Sequence, residues 1–181
     1  MVTEKDLEKA LKYSELRKAG KIDEAKKYAD LSYADLSKAN LHNSDLSYAN
    51  LSNSNISHAD LSNANLSYAN LSVADLSFID LSEANLSNAD LSDADLSTAN
   101  LRYSNLSYSN LSDANICDAK LSNSNLSHAD LSRTDFSYAN LFRACLSYTD
   151  LSSANFNGAN LSNANLKSAR VKVGNEIRYI R

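Results

Sequence analysis

His42, His58 and His128 are the only imidazoles in this 181-residue chain, and Cys117 and Cys145 are its only thiols. A serine follows almost every leucine of the long central stretch. An imidazole beside a serine hydroxyl would make a base and nucleophile pair. Imidazoles converging with thiolates would ligate zinc. Both chemistries need side chains that meet in space, and the sequence supplies no such convergence. No histidine recurs at a fixed offset from the serines, and no glycine-rich phosphate loop is present. The reading is therefore that the chain is not an enzyme and needs no cofactor or metal.

What must position these residues is a repeat. From Tyr28 to Val171 the sequence recurs every five residues without an insertion, as in Ala64-Asn65-Leu66-Ser67-Tyr68. A Leu, or rarely Ile, Phe or Val, stands at every fifth position from Leu31 to Val171, giving twenty-nine units. Two residues earlier stands Ala, Ser or Thr, with Ile79 the one bulky exception. Such periods are read before anything else because they decide the architecture. Five residues match neither the 3.6 of a helix nor the 2 of a long strand. One large and one small apolar position per five fit a short extended segment followed by a bend, with both residues inward. The small one sits where a larger side chain would overfill the interior. Proline is absent, as suits stacked strands, and glycine occurs only at Gly20, Gly158 and Gly174.

The units resemble those of the pentapeptide repeat family, over about 144 of the 181 residues. The resemblance implies an all-β solenoid, a right-handed quadrilateral β-helix with four units per coil. Twenty-nine units then make about seven coils, roughly 35 Å long at the usual strand spacing. Residues twenty apart would share a side. On that frame Ile56, Ile116, Phe136 and Phe156, the exceptions to core leucine, share one side with Leu36, Leu76 and Leu96, and Phe136 should stack on Phe156. Cys117 and Cys145 fall on opposite sides, too far apart for a disulfide. The three histidines fall on different sides or separated coils.

The expected organisation is a helical N-terminal cap (1–28), the β-helix (29–171) and a C-terminal strand or cap (172–181). Thr3 can N-cap a helix over 3–19, and Gly20 can stop it. Ile22, Ala25 and Ala29 then line one stripe of a second helical segment. The Leu11 to Ala25 segment resembles the turn of one tetratricopeptide repeat, which alone forms no groove and is read as a cap. Val171, Val173, Ile177 and Tyr179 alternate around Gly174-Asn175, a strand or hairpin pattern to which Ile180 adds apolar surface. In proteins of the resembling family the C-terminal end commonly dimerises, so these five apolar residues are a candidate homodimer contact. No leader and no membrane-length apolar run is evident, and a cytoplasmic location is expected.

The net charge of −4 is unevenly spread: +2 over residues 1–28, −8 over 29–170 and +2 over 171–181. The side carrying Asp30, Asp90, Asp93, Asp113, Asp130 and Asp150 adjoins the side carrying Asp35, Asp75, Asp95, Asp118 and Asp135. Tyr48, Tyr68, Tyr108 and Tyr148 recur at one outward position, with Asn88 and His128 between them. Three functional readings follow. One is a rigid scaffold for protein–protein interaction with an unknown partner. Another, implied by the quinolone-resistance members of the resembling family, is an acidic DNA mimic that binds DNA gyrase or topoisomerase IV. Such a surface would repel nucleic acid itself. The last is an engineered or regularised solenoid without a partner, against which stand irregular residues such as Lys120, Phe142 and Cys145.

Overall fold

A computed structural model describes residues 3–173 and 176–180. Its main body is a solenoid in which each coil takes twenty residues. Parallel pairings join residues twenty apart, from Asp30 with Asn50 to Asp150 with Arg170. The Leu positions from Leu31 to Leu151 (Leu, Ile or Phe) are buried, as are most of the small residues two places earlier. The two inward positions therefore form one continuous core.

The period is five because five residues satisfy five backbone N–H groups. In the unit Ala84 to Asn88, Ala84 N–H closes a turn onto the Leu81 carbonyl at 3.1 Å. Asn85 N–H donates to Ala64 of the preceding coil at 2.9 Å, and Leu86 and Asn88 donate to Asn105 and Ser107 of the next at 2.7 and 3.0 Å. Ser87 N–H has no such neighbour and turns to the Asn85 side-chain oxygen at 3.1 Å. The Asp or Asn that precedes the central residue of most units is thus an internal acceptor for the backbone two residues on. The same side chains tie coils together. Asn50, Asn65, Asn100, Asn110, Asn115 and Asn155 each donate an amide N–H to the Asp one coil below, at 2.9–3.3 Å.

The outward residue of every unit from 33 to 168 has φ near +60°, or +72° at Gly158. Left-handed backbone normally costs a non-glycine residue about 1–2 kcal/mol, yet Val73, Phe78 and Thr98 all adopt it. The paired coils impose it, because the turn bond and both inter-coil bonds require that bend. At Gly158 the glycine has a second reason. A Cβ there would lie 2.7 Å from the Tyr138 ring.

The first coil would otherwise present an unpaired edge. Helix α1 (Glu4–Lys18) covers it, with Thr3 Oγ1 accepting from Asp6 N–H at 3.1 Å as the N-cap. Its buried face carries Ala10, Tyr13, Ser14 and Leu16. This face also replaces a missing coil. Asp6 Oδ2 accepts from Asp35 N–H at 3.0 Å and Ser14 Oγ from Asp45 N–H at 2.8 Å. Thr3 N–H donates to the Asp35 carbonyl at 3.1 Å, Tyr13 Oη to that of Ser47 at 2.5 Å, and Lys9 to that of Asp30. Gly20 at φ +71° ends the helix, and α2 (Ile22–Ala25) with a short 3-10 turn (Lys26–Tyr28) leads into the first unit.

The other end closes less fully. Strands β1 (Arg170–Val173) and β2 (Glu176–Tyr179) form an antiparallel hairpin. Beyond it Ile180 N–H donates to the Ala169 carbonyl at 2.9 Å, and the Ile180 carbonyl accepts from Ser168 N–H at 2.7 Å. The hairpin meets the side that holds Ala169, while Phe156, Leu161 and Leu166 remain partly open. Of the candidate dimer residues, Ile177 and Tyr179 are exposed, whereas Val171 and Ile180 pack partly against the core. The Val173 side chain and residues Gly174 and Asn175 lie outside the described residues.

Candidate interaction surfaces

The outward residues form four columns, one per corner of the coil, with side chains repeating every twenty residues. The most ordered column runs from Tyr48 to Tyr148. Tyr48 and Tyr68 stack with centroids 4.9 Å apart and planes 4° from parallel. His128 lies between Tyr108 and Tyr148 at 4.6 and 4.9 Å. At the N-terminal end the Arg17 guanidinium sits 5.2 Å from the centre of the Tyr48 ring and donates to Ser47 Oγ at 2.6 Å. A cleft of about 340 Å³ opens there, lined among others by Tyr13, Arg17, Ile22 and Tyr48. Asn88 interrupts the column. A second corner holds a shorter stack, His58 on Phe78 at 4.8 Å.

The carboxylates are less free than their number suggests. Asp30, Asp35, Asp75, Asp90, Asp95, Asp130, Asp135 and Asp150 all accept a backbone N–H two residues on at 2.9–3.1 Å. Asp150 also meets Arg170 at 3.1 Å. The corner residue Asp113 is held by both arms of the Arg133 guanidinium, at 2.7 and 2.6 Å. Asp93 occupies the same corner one coil earlier, and Asp118 the next corner, where it accepts from the Cys117 thiol at 3.4 Å. Asp60 with Asp80, Asp75 with Asp95, and Asp130 with Asp150 occupy adjacent coils without an Asn between them. Like charges so placed repel.

The Arg133 hydrogen bond, opposed by desolvation and reinforced by the guanidinium charge, holds the Asp113 carboxyl below its ordinary value. A carboxyl lowered in the folded state stabilises the fold above its unfolded value, near 4, and loses that contribution as pH falls through the lowered one. Arg133→Ala should therefore raise the Asp113 titration midpoint toward the ordinary value. Carbon-detected NMR of the carboxyl reads this directly, and an unchanged midpoint would show that the ion pair does not form in solution.

One constellation escaped the sequence reading. His42 occupies a serine position, so Ser62 lies one coil on, and His42 Nδ1 meets Ser62 Oγ at 2.7 Å. Ser62 Oγ in turn donates to Asp60 Oδ1 at 2.5 Å. The three residue types match a hydrolytic triad, but the hydroxyl proton points to the carboxylate rather than to the imidazole. The neighbouring N–H groups of Asp60, Leu61, Ser62, Asn63 and Ala64 are all committed to other acceptors at 2.8–3.0 Å. No donor pair is left to hold a developing oxyanion. The twenty-residue offset between His42 and Ser62 was the signal that could have found this contact. His58 and His128 are engaged in their stacks, and no group of three potential metal ligands occurs among the described residues. Cys117 and Cys145 are both free thiols. No helix among the described residues is long and apolar enough to cross a membrane.

No curated protein sequence matches. Among solved structures, HetL from Nostoc sp. strain PCC 7120, a pentapeptide repeat protein involved in heterocyst differentiation regulation, is 27% identical. That match covers 77% of this chain and 88% of HetL, with a TM-score of 0.25. A second pentapeptide repeat protein from Nostoc PCC 7120 is 42% identical over 56% of this chain and 78% of its own, with a TM-score of 0.32. QnrB1, a plasmid-mediated fluoroquinolone resistance protein, is 18% identical over 74% of this chain and 77% of its own. Its TM-score of 0.53 speaks to the fold alone. Proteins of this kind fold as right-handed quadrilateral β-helices. The model of pentapeptide repeats matches eight copies over residues 27–63, 44–77, 79–116, 109–147 and 144–172. With its five-residue bonding cycle and its twenty-residue coil, this chain belongs to the pentapeptide repeat family.

Proposed function

We propose that the protein is a non-enzymatic scaffold whose outward columns bind a protein partner. The observation that supports this most is the separation of roles within each unit. Two residues fill the core, the Asp or Asn and the Ser complete the backbone bonding, and the third residue after the Asp or Asn is free to vary. In the column from Tyr48 to Tyr148 that freedom is spent on large exposed rings. Exposed aromatics of this kind anchor protein interfaces. In the same reading the helical cap of residues 1–28 closes one end, and two copies meet through the other. The partly open Phe156, Leu161 and Leu166, with Ile177 and Tyr179 beside them, favour the homodimer. Light scattering during size exclusion reads the mass directly: a dimer supports that contact, and a monomer at all concentrations removes it.

A second reading is mimicry of nucleic acid toward a type II topoisomerase. Its support is the acidic stretch around Asp75, Asp90, Asp93, Asp95, Asp130 and Asp135. Arg133 on Asp113 and Arg170 on Asp150 break that stretch, which is why the scaffold comes first. Supercoiling by purified gyrase separates the two. The scaffold reading expects no change with this protein in large excess. Inhibition or protection from a quinolone, lost when Asp90 and Asp93 become Asn, would replace it by the mimic.

A further inference from the structure

The aromatic column contains its own guide to what it binds. His128 is a flat ring inserted between tyrosines carried two coils apart, and the chain holds it at 4.6 and 4.9 Å from them. Tyr68 and Tyr108 are likewise two coils apart, about 9.6 Å at the usual strand spacing, but Asn88 stands between them. All of these corners share one backbone bend, with φ from 59° to 62°, so their side chains leave the coil in register. Asn88 is exposed and its side chain is short. One face of Tyr68 is covered by Tyr48, and one face of Tyr108 by His128. Their other faces look toward each other across Asn88.

We infer that the gap at Asn88 is a docking slot for an arginine side chain of a basic protein partner, an inference that rests on the scaffold reading. The slot admits one flat group at the spacing the column already uses. The chain places a guanidinium of its own, that of Arg17, on the outer face of Tyr48 at the head of this column. Guanidinium is planar and stacks on aromatic faces, whereas the lysine ammonium is a hydrated point charge. Charge complementarity selects a cation. Asp90 lies two residues beyond Asn88, and no cation pairs with it among the described residues. The surrounding solenoid carries a net charge of −8, which repels the phosphates that would accompany a nucleobase. The Asn88 amide oxygen at the base of the slot can accept a guanidinium N–H.

The probe is a blocked Gly-Arg-Gly-Arg-Gly peptide, titrated against the full chain while the tyrosine ring protons are followed by NMR. Its lysine counterpart is the control. The expected result is binding about tenfold tighter for the arginine peptide, with shifts concentrated at Tyr68 and Tyr108. Asn88→Tyr should abolish it by completing the stack, and it should keep the wild-type circular dichroism because tyrosine already occupies four rungs of this column. Tyr68→Leu with Tyr108→Leu, which keeps bulk and removes the flat faces, should weaken binding to the level of the lysine peptide. Equal affinity for the two peptides, or undiminished binding by Asn88→Tyr, would overturn the slot. So would the same ring shifts on adding a single-stranded oligonucleotide. A folded Asn88→Tyr that still retains every protein partner removes the slot but leaves the scaffold reading standing, since that reading fails only if no outward column matters.

Discussion

Truncating Phe136 to alanine is expected to cost about 3–5 kcal/mol of unfolding free energy. Phe136 is the largest of the side chains that are completely buried. It stacks on Phe156 with centroids 5.0 Å apart and planes 2° from parallel. Its column continues toward the N-terminus through Ile116, so the cavity would be walled by coils whose backbones are fixed by bonds on both sides. Little collapse is available to fill it. Phe156→Ala should cost less, because Phe156 is already partly open at the C-terminal end. Urea unfolding followed by far-ultraviolet circular dichroism measures both. Solenoid coils contact only their neighbours, so Phe136→Ala should also broaden the transition by uncoupling the last coils. A Phe136→Ala protein within about 1 kcal/mol of wild type would mean that the core is not packed as described.

Tyr13→Ala is expected to cost a comparable amount, about 3–5 kcal/mol, and to have a second consequence. Tyr13 is buried, fastens α1 to the first coil and donates to the Ser47 carbonyl. Without it the helix loses its central anchor, and the acceptors supplied by Asp6 and Ser14 are no longer held in place. The first coil then exposes strand edges able to pair with another chain. The variant should aggregate with increasing concentration, which static light scattering detects. Tyr13→Phe keeps the ring and loses only the hydroxyl bond, so it should cost about 1 kcal/mol and remain monodisperse relative to wild type. If Tyr13→Ala behaved like Tyr13→Phe, the helix would be ornament rather than cap.

The core was legible because it is written in residue type. Leucine every five residues, and alanine two places before it, state which side chains go inward without help from any other source. The four-unit coil was not legible in that way and came from resemblance to a family; the pairing of residues twenty apart now states it directly. The left-handed bend at every outward residue is only half written in the sequence. Asn, Asp and His, which tolerate it, stand at many of these positions, but Tyr, Val, Phe and Thr, which are poor choices for it, stand at others. Inter-coil bonding overrides their preference. The sequence displays the charge of the Asp residues, whereas the first task of Asp and Asn alike is to accept the backbone N–H two residues on, most often a serine's. That role is visible only once each backbone donor has been followed to its acceptor. At the N-terminus the helix and its Thr3 cap were readable, but the use of Asp6 and Ser14 in place of a missing coil depends on three-dimensional register. The alternation from Val171 to Tyr179 did signal the strands that form β1 and β2.

On the scaffold reading the inward residues and the Asp or Asn make the fold, and the outward residues make the function. The most direct test is to replace Tyr68 and Tyr108 by Asn, a residue that already occupies this bend at Asn88, and to measure partner retention on the immobilised protein beside its unfolding midpoint. The expected outcome is a small change in the midpoint together with loss of proteins that the wild type retains. Matched replacements on the column holding Asn43, Asn63 and Glu83 should leave those proteins bound. Unchanged retention for every column, or unfolding caused by the outward substitutions themselves, would contradict this division of roles.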